Sequence, residues 1–364
     1  MNVIVNATAL THSGALTILE QFVHNAVGRP ENYTIFVDRC VSICSRDNVE
    51  IIHVNKKGWI SRIWWDSIGL RTYVKREKIG CDLVISLQNT SVNYPGPKVI
   101  YIHQPIPFSD IDFSFFKKSE WTLALYKRFY SYFIFRYVDE HTRYVVQTRW
   151  MKNSLATKFG IELNRIDVIK PNVEMPSITE DYSFSNECGY FKLIYPATFF
   201  SYKNHEVVIR ALAVFKKSGD LDKIKFQVTL DDASFNELKK YAQRFGVDEV
   251  LENIGYVPRN KLYEFYNKAN LLVFPSYLET FGLPLAEAAV FGKKILCSDL
   301  PYARDVLLGY DGAIFVPFDD EVLWSEKLKN ILNDISGGRY SYDGFQSSGW
   351  DDFFNLISEG YYVR

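Results

Sequence analysis

Residues 274–288 have the sequence FPSYLETFGLPLAEA, and this stretch decides how the second half of the chain folds. The apolar run 271–274 leads into it and is typical of a buried strand. Pro284 stands near the first position of the next run, where proline favours the start of a helix. Gly282, in the polar loop between them, lets the backbone approach a ligand closely. The stretch therefore predicts a strand, a loop and a helix, with a ligand at the loop.

The start of this helix is also a predicted anion site. Its first backbone amides, at Phe281, Gly282 and Leu283, would have no acceptors within the helix, and the helix dipole adds positive potential. Such a site suits a diphosphate. Glu287, one turn into the helix, could accept hydrogen bonds from a ribose diol, and Glu279 lies where a hexose on that diphosphate would be. The alternative is a capped helix start whose two glutamates are solvated.

Short apolar runs alternate with longer amphipathic segments along the whole chain, which indicates βαβ units and parallel sheets. The predicted strands form two series: 3–5, 33–37, 51–54, 83–86, 99–102, 144–146 and 166–169, then 191–195, 226–230, 271–274, 295–297 and 313–316. Helices are expected between them, for example over 204–217, 234–245 and 260–268. We therefore predict the α/β class, with two Rossmann-like, doubly wound domains facing a central cleft.

The domain boundaries are predicted from changes in pattern. The first domain spans 1–174, and 175–189 is interpreted as a linker because it lacks periodicity. The second domain spans 190–347. The tail 348–364 predicts a short amphipathic helix.

The composition predicts a cytoplasmic protein without a membrane span. The 364 residues suit two domains, and the five cysteines are scattered with no spacing typical of zinc. The opening is not typical of a signal peptide, and no apolar run reaches about 18 residues.

Residues 1–175 hold 22 basic against 16 acidic residues, whereas 176–364 hold 20 against 27. Only the first half suits an anionic surface, and a net charge near zero argues against nucleic acid as a partner.

The stretch 274–288 resembles the E-x7-E signature of retaining glycosyltransferases of family four, which have the GT-B fold. Residues 253–258 (NIGYVP) are similar to the family's segment near the nucleotide base, which places Val257 among the expected donor contacts. Residues 298–301, with Asp305 downstream, and 165–173 are also similar to family segments. The similarity covers roughly residues 140–317.

The resemblance implies transfer of a hexose from a nucleoside-diphosphate sugar to a hydroxyl, with retention of the anomeric configuration. No metal cofactor is expected, because basic groups and a helix N-terminus balance the diphosphate. Glu287 would hold the donor ribose and Glu279 would contact the donor sugar. The amides of residues 281–283 would hold sugar and phosphate oxygens. Polysaccharide or O-antigen biosynthesis is the implied setting, and the tail 348–364 is expected to cross back to the first domain.

Lys203 resembles the family's phosphate-binding lysine after the first strand of the second domain. The alternative is a solvated lysine beside an asparagine helix cap at Asn204. The chain departs from the family at Thr198, where many members carry an arginine. One positive charge on the leaving diphosphate is therefore missing or supplied from elsewhere.

Two residues of the first domain are further candidates. His103, in YIHQPIPF, resembles the family's histidine over the donor sugar, and the alternative is a structural histidine at a strand end. Gly14 stands in the first predicted strand-to-helix turn, where family members have a glycine near the donor phosphate, or it is a plain turn glycine. Asp110 and Asp112 spell D-x-D, but their place in a proline-rich loop argues against a metal role.

The acceptor is predicted from the composition of two segments rather than from a motif. Residues 56–78 and 115–149 mix aromatic with basic side chains, which suits an anionic membrane surface, although a helix buried against the sheet would show the same pattern. A peripheral location at the inner face of the membrane would make the acceptor a lipid-linked sugar; otherwise it is a glycan.

Two other functions stay open: a non-catalytic, nucleotide-sugar-binding subunit, favoured by Thr198, and an NAD-type oxidoreductase. The oxidoreductase lacks the expected G-x-G-x-x-G.

Overall fold

The structure is a computed structural model that describes residues 1–11, 13–55, 58–117, 120–173, 189–217, 221–334, 340–342 and 349–362. The chain divides into two compact units, the first formed by Met1–Asn172 with Ser347–Arg364 and the second by Val173–Gln346. Residues 175–188 of the predicted linker lie outside the described residues. No described helix combines the length and apolarity needed to cross a membrane.

The first unit is built on a seven-stranded sheet in which every pairing is parallel. Its strands are β1 (Asn2–Ala7), β2 (Asn32–Asp38), β3 (Val49–Val54), β4 (Leu83–Ser86), β5 (Lys98–Ile102), β6 (Thr142–Val146) and β7 (Ile166–Val168). Its helices before the linker are α1 (Ser13–Ala26), α2 (Gly58–Trp64), α3 (Leu70–Arg76), α4 (Trp121–Phe135) and α5 (Arg149–Phe159). One π-helical turn, Trp65–Gly69, joins α2 to α3.

The second unit is built on a six-stranded parallel sheet. Its strands are β8 (Phe191–Tyr195), β9 (Ile224–Val228), β10 (Leu251–Asn253), β11 (Leu271–Phe274), β12 (Lys294–Ser298) and β13 (Ala313–Val316). Its helices are α6 (His205–Lys216), α7 (Asp232–Phe245), α8 (Arg259–Lys268), α9 (Leu283–Val290), α10 (Pro301–Val306) and α11 (Glu321–Asn333). The predicted α/β class with two parallel sheets is confirmed.

Both sheets have the strand order of a doubly wound fold. The order is β3-β2-β1-β4-β5-β6-β7 in the first unit and β10-β9-β8-β11-β12-β13 in the second. The direction of winding therefore reverses between β1 and β4, and again between β8 and β11. Ligands of such sheets bind at the carboxyl ends of the strands beside this reversal. Each unit thus has one preferred edge for a site.

The central strands are largely buried, as expected for parallel sheets covered by helices on both faces. All residues of β4, β5 and β11 are buried, which explains their nearly continuous apolar sequences. β10 was not predicted from sequence, because three residues are too few to show a period.

The C-terminal helix α12 (Gly349–Tyr362) completes the core of the first unit. Trp350 and Phe354 pack against Phe22 of α1, with ring centroids 5.8 and 5.2 Å apart. The Arg29 guanidinium lies 4.3 Å from the centre of the Phe354 ring. The helix expected at 348–364 therefore belongs to the first unit.

Candidate functional site

Two predicted site residues meet at the carboxyl edge of the second sheet, beside the reversal between β8 and β11. The loop after β8 carries Lys203, and the loop after β11 carries Glu279. Lys203 Nζ lies 2.5 Å from Glu279 Oε1, and the two side chains are only 15% and 14% exposed. The solvated alternatives for Lys203 and for Glu279 are therefore wrong.

The same two loops are tied together by hydrogen bonds of the neighbouring residues. Asn204 has φ 56°, and its side-chain amide donates to the carbonyl oxygens of Pro275 (3.2 Å) and Phe318 (2.7 Å). The Tyr277 amide donates to the Tyr202 carbonyl at 2.9 Å. Asn204 does not cap α6 with its side chain. These bonds fix the loop after β8 against the loop after β11, so the position of Lys203 is determined by the fold.

Gly282 makes the sharp turn into α9. It has φ 81° and directly precedes the helix. A Cβ atom at this position would lie 3.3 Å from Leu285 Cδ1 and 3.5 Å from ring atoms of Phe274 and Tyr302. A left-handed conformation costs other L-residues about 1–2 kcal/mol, and the surrounding side chains leave little room as well. Glycine is therefore required here by both backbone conformation and packing.

The predicted backbone donors flank this glycine. Phe281 buries its ring, which is 2% exposed, and Leu283 is the first residue of α9. Pro284 follows and has no N–H group, as is common in the first turn. The positive end of the α9 dipole therefore lies at the loop that carries Glu279. An anion bound there would meet backbone N–H groups and the Lys203 ammonium.

Glu287 lies one turn into α9 and is 4% exposed. Its Oε2 accepts a hydrogen bond of 3.0 Å from the hydroxyl of Tyr266 on α8, a side chain that is fully buried. A buried carboxylate needs such partners, since an isolated one would be costly. The bond fixes the orientation of the carboxylate, and the solvated alternative for Glu287 is wrong. Tyr266 was not predicted from sequence, because its only signal is its place in an apolar stripe of α8.

The remaining predicted donor contacts of the second unit lie in loops after its strands. Thr198 follows β8, three residues beyond its end, and is exposed. Val257 is half-buried in the loop between β10 and α8. Asn253 shapes that loop, because its side chain accepts from the Gly255 amide (3.2 Å) and donates to the Leu230 carbonyl (2.9 Å). Both positions share the carboxyl edge with Lys203 and Glu279.

His103 lies in the first unit, just after β5. Its Nε2 lies 2.9 Å from the Leu87 carbonyl oxygen, an acceptor, and 3.2 Å from Asn89 Nδ2, a donor, so this ring nitrogen contacts both residues. Its backbone amide donates to Asn89 Oδ1 at 2.5 Å. Burial lowers the pKa of His103 to about 4, so the ring is neutral at physiological pH.

Gly14 is the second residue of α1, at the carboxyl end of β1. It is exposed, has no positive φ, and a Cβ atom would meet nothing within 4 Å. Neither backbone conformation nor packing requires a glycine here. In the D-x-D sequence, the exposed Asp110 pairs with Lys158 at 2.6 Å.

A buried polar network at the reversal between β1 and β4 was not predicted from sequence. Asp66 is buried in the π-helical turn, and its oxygens accept hydrogen bonds from Asn6 Nδ2 (2.8 Å), Gln88 Nε2 (3.0 Å) and Thr90 Oγ1 (2.8 Å). Burial raises the pKa of Asp66 to about 6. Asn6 is the second-last residue of β1, and Gln88 follows β4. Polar residues near the ends of apolar strands were therefore the available signal.

Comparisons with known proteins match this architecture. Residues 180–339 match the model of the family described as glycosyl transferases group 1. A D-inositol 3-phosphate glycosyltransferase of Paenarthrobacter aurescens is 23% identical over 62% of this chain and 58% of its own length. The O-antigen chain mannosyltransferase RfbU of Salmonella typhimurium is 28% identical over 50% of this chain and 48% of its own length. The chain thus matches only about half of these curated relatives.

Solved structures share the fold over the whole chain. The crystal structure of WaaG, a glycosyltransferase involved in lipopolysaccharide biosynthesis, covers 100% of this chain and 99% of its own, with a TM-score of 0.68 and 15% identity. Alr3699/HepE from Anabaena, solved with UDP and glucose, covers 100% of both chains, with a TM-score of 0.69 and 12% identity. The similarity to the family of glycosyl transferases group 1 therefore rests on residues 180–339 of this chain.

Proposed function

We propose that this protein is a retaining, metal-independent glycosyltransferase. It transfers a hexose from a nucleoside-diphosphate sugar to a hydroxyl of a glycan or a lipid-linked sugar. The observation that carries the proposal is the contact between Lys203 and Glu279 at the start of α9. A cation, a carboxylate and a helix N-terminus at one strand edge suit a sugar diphosphate better than any neutral ligand.

Each residue of this edge has a proposed role in donor binding. Lys203 and the first amides of α9 balance the charge of the diphosphate, with Phe281, Gly282 and Leu283 as the backbone donors. Glu279 contacts hydroxyls of the donor sugar. The nucleoside part of the donor has two further proposed contacts. Glu287 binds the ribose diol, and Val257 contacts the base.

The proposed reaction is a displacement on one face of the sugar. The bond between the acceptor oxygen and C1 forms as the bond between C1 and the phosphate oxygen breaks. The proton of the acceptor hydroxyl passes to the departing phosphate oxygen, so no side chain of the protein has to take it. His103, neutral through the physiological range, is proposed to hydrogen-bond the donor sugar. Gly14 is proposed to lie near the donor phosphate.

The names of the relatives support a role in polysaccharide or O-antigen biosynthesis. One matched relative is an O-antigen chain mannosyltransferase, and one similar structure acts in lipopolysaccharide biosynthesis. We propose that this protein works in the cytoplasm, where such donors are made, and associates peripherally with the inner face of the membrane.

A transfer assay with anomer-resolved NMR of the product tests the reaction. The expected product keeps the anomeric configuration of the donor, and the rate is unchanged by EDTA. An inverted product contradicts the mechanism, and loss of activity with EDTA contradicts metal independence.

A second candidate function is a subunit that binds nucleotide-sugar without turnover. The exposed Thr198 favours it, because no arginine supplies a second positive charge at that position. A transfer assay of the wild type and of Glu279→Ala distinguishes the two functions. The enzyme loses turnover in this variant, whereas a binding subunit shows no turnover in either form.

A further inference from the structure

Exposed apolar side chains are concentrated in two segments of the first unit. Among the described residues, ten of the 17 exposed large apolar side chains fall within 59–68 and 115–132. They are Trp59, Ile60, Trp64, Ile68, Phe115, Phe116, Trp121, Leu125, Phe129 and Tyr132. Single exposed apolar residues are ordinary, but a concentration of this kind marks a surface that is covered by a ligand or a partner.

The two segments meet at a pocket. Trp59 of α2 packs against α4, with ring centroids 5.2 Å from Tyr126, 6.0 Å from Tyr130 and 6.2 Å from Phe133. The pocket has a volume of about 250 Å³ and, besides these rings, is lined by Thr122, Leu125 and Phe129. Pockets for whole small molecules measure roughly 300–1,000 Å³. This one therefore takes an apolar part of a ligand rather than a complete nucleotide or sugar.

One buried nitrogen of the Arg62 side chain, on the same helix as Trp59, lacks a hydrogen-bond partner among the described residues. This nitrogen is Nε, and Arg62 stands on α2 one turn after Trp59. Its charge acts on the two pocket tyrosines Tyr126 and Tyr130, where it opposes the increase in pKa that burial causes. A buried donor without an acceptor is costly. An anion that pairs with the guanidinium would offset part of this cost.

Asp66, one turn beyond Arg62, does not fill this role. Its oxygens already accept hydrogen bonds from Asn6, Gln88 and Thr90. No ion pair within the described part of the chain includes Arg62.

The two segments that form the pocket carry more basic than acidic residues. Residues 58–76 hold four basic residues and one acidic residue, and 113–136 hold five against one. Arg128 of α4 is exposed beside Phe129. Apolar contact and positive charge at one place are the features that bind amphiphiles with an anionic head.

We propose that Arg62 and the pocket formed by Trp59 and α4 are a binding site for a hydrocarbon chain that carries a phosphate. The chain lies in the pocket between α2 and α4, and the phosphate pairs with the Arg62 guanidinium. The occupant is the lipid carrier of the acceptor, and this identification rests on the proposed transferase function.

Binding of decyl phosphate to the full-length protein tests the site, measured by calorimetry below the micellar concentration. Decanol and inorganic phosphate are the comparison probes, and each should bind at least about tenfold more weakly, since each offers only half of the contacts. Arg62→Gln and Leu125→Ser should each weaken decyl phosphate binding by about tenfold or more. Arg244→Gln and Phe245→Ser, exposed on α7 of the second unit, are the matched controls and should change nothing.

Equal binding of decanol and decyl phosphate, or equal binding by Arg62→Gln and wild type, overturns the phosphate part of the site. Unchanged binding by Leu125→Ser overturns the pocket. A thermal melt of each variant shows whether it is folded. Donor binding is measured in parallel with a soluble nucleoside diphosphate. If the wild type binds no nucleoside diphosphate, the proposed function is contradicted. If it binds the nucleotide but not decyl phosphate, only this site is contradicted.

Discussion

Lys203 and Glu279 come from different loops of the second unit, yet Lys203 Nζ and Glu279 Oε1 lie 2.5 Å apart at the carboxyl edge of the sheet. Their loops follow β8 and β11, the neighbouring strands between which the winding reverses. A pair of opposite charges at this position can exchange partners when a donor enters. The lysine then meets phosphate oxygens, and the carboxylate meets sugar hydroxyls.

Removing the Lys203 charge should reduce transfer much more than it reduces folding. We expect Lys203→Met to lower kcat by about 100- to 1,000-fold, because one donor to the developing diphosphate charge is lost. Steady-state kinetics with saturating donor measure the effect. Lys294→Met is the matched control, since Lys294 also forms a half-buried ion pair, with Asp334 at 2.7 Å, but at the opposite end of the sheet. Equal kinetic losses in both variants contradict the role of Lys203.

The hydroxyl of Tyr266 should affect donor affinity through Glu287. Tyr266→Phe removes a buried hydrogen bond, which contributes about 0.5–1.5 kcal/mol. We therefore expect the KM for the donor to increase by about 2- to 10-fold with kcat unchanged, because ribose binding is the same in ground and transition states. Tyr263→Phe is the control, since Tyr263 is on the same helix and also packs against Phe291. A change in kcat alone contradicts this positioning role.

Gly282 should be required for activity as well as for folding. Gly282→Ala forces a non-glycine residue to φ 81°, which costs about 1–2 kcal/mol of unfolding free energy, and it crowds Leu285. Gly309 also has φ 81°, but a Cβ atom there meets nothing within 4 Å. Denaturant melts should show a similar backbone cost in Gly309→Ala, while only Gly282→Ala loses nucleotide binding. Normal nucleotide affinity in Gly282→Ala would show that the α9 N-terminus is not the anion site.

His103 should contribute a pH dependence to stability. Burial lowers its pKa from the ordinary 6.5 to about 4, so between these pH values the unfolded chain binds more protons than the folded one. The unfolding free energy contributed by His103 is therefore complete above pH 6.5 and is lost as the pH falls towards 4. His205, with a pKa lowered by burial to about 3, acts in the same direction and overlaps this window.

Denaturant melts between pH 4 and 7.5 measure this dependence. The slope should be reduced in His103→Gln and unchanged in the control His24→Gln, whose side chain is exposed. An unchanged slope in His103→Gln contradicts a buried, neutral ring.

Sequence alone predicts the strands of this fold well, since fully buried parallel strands appear as continuous apolar runs. The ends of β4, β8, β11 and β13 were predicted to the residue. The three-residue edge strand β10 was missed because its pairing with β9, rather than a local period, holds it in place.

Sequence predicts the part of the candidate site that lies in one continuous segment, but not the contacts that depend on the order of the strands. Gly282 and Glu279 stand in one contiguous stretch, where the local pattern indicates a helix start. The contact of Glu279 with Lys203 joins residues 76 positions apart and follows only from the strand order. Tyr266 was missed because a tyrosine in an apolar stripe shows no sign of the carboxylate to which its hydroxyl donates.

The most direct test of the donor site is a thermal-shift screen of the full-length protein against UDP, GDP, ADP, CMP and NAD. It is repeated with Glu287→Gln, each shift being taken from the variant's own ligand-free midpoint. A ligand at about 100 times its Kd adds about 2.7 kcal/mol to the unfolding free energy, which is readily measured. We predict that one nucleoside diphosphate stabilises the wild type and that its shift is strongly reduced in Glu287→Gln. Stabilisation by NAD, or by none of the five, contradicts a nucleotide-sugar site at α9.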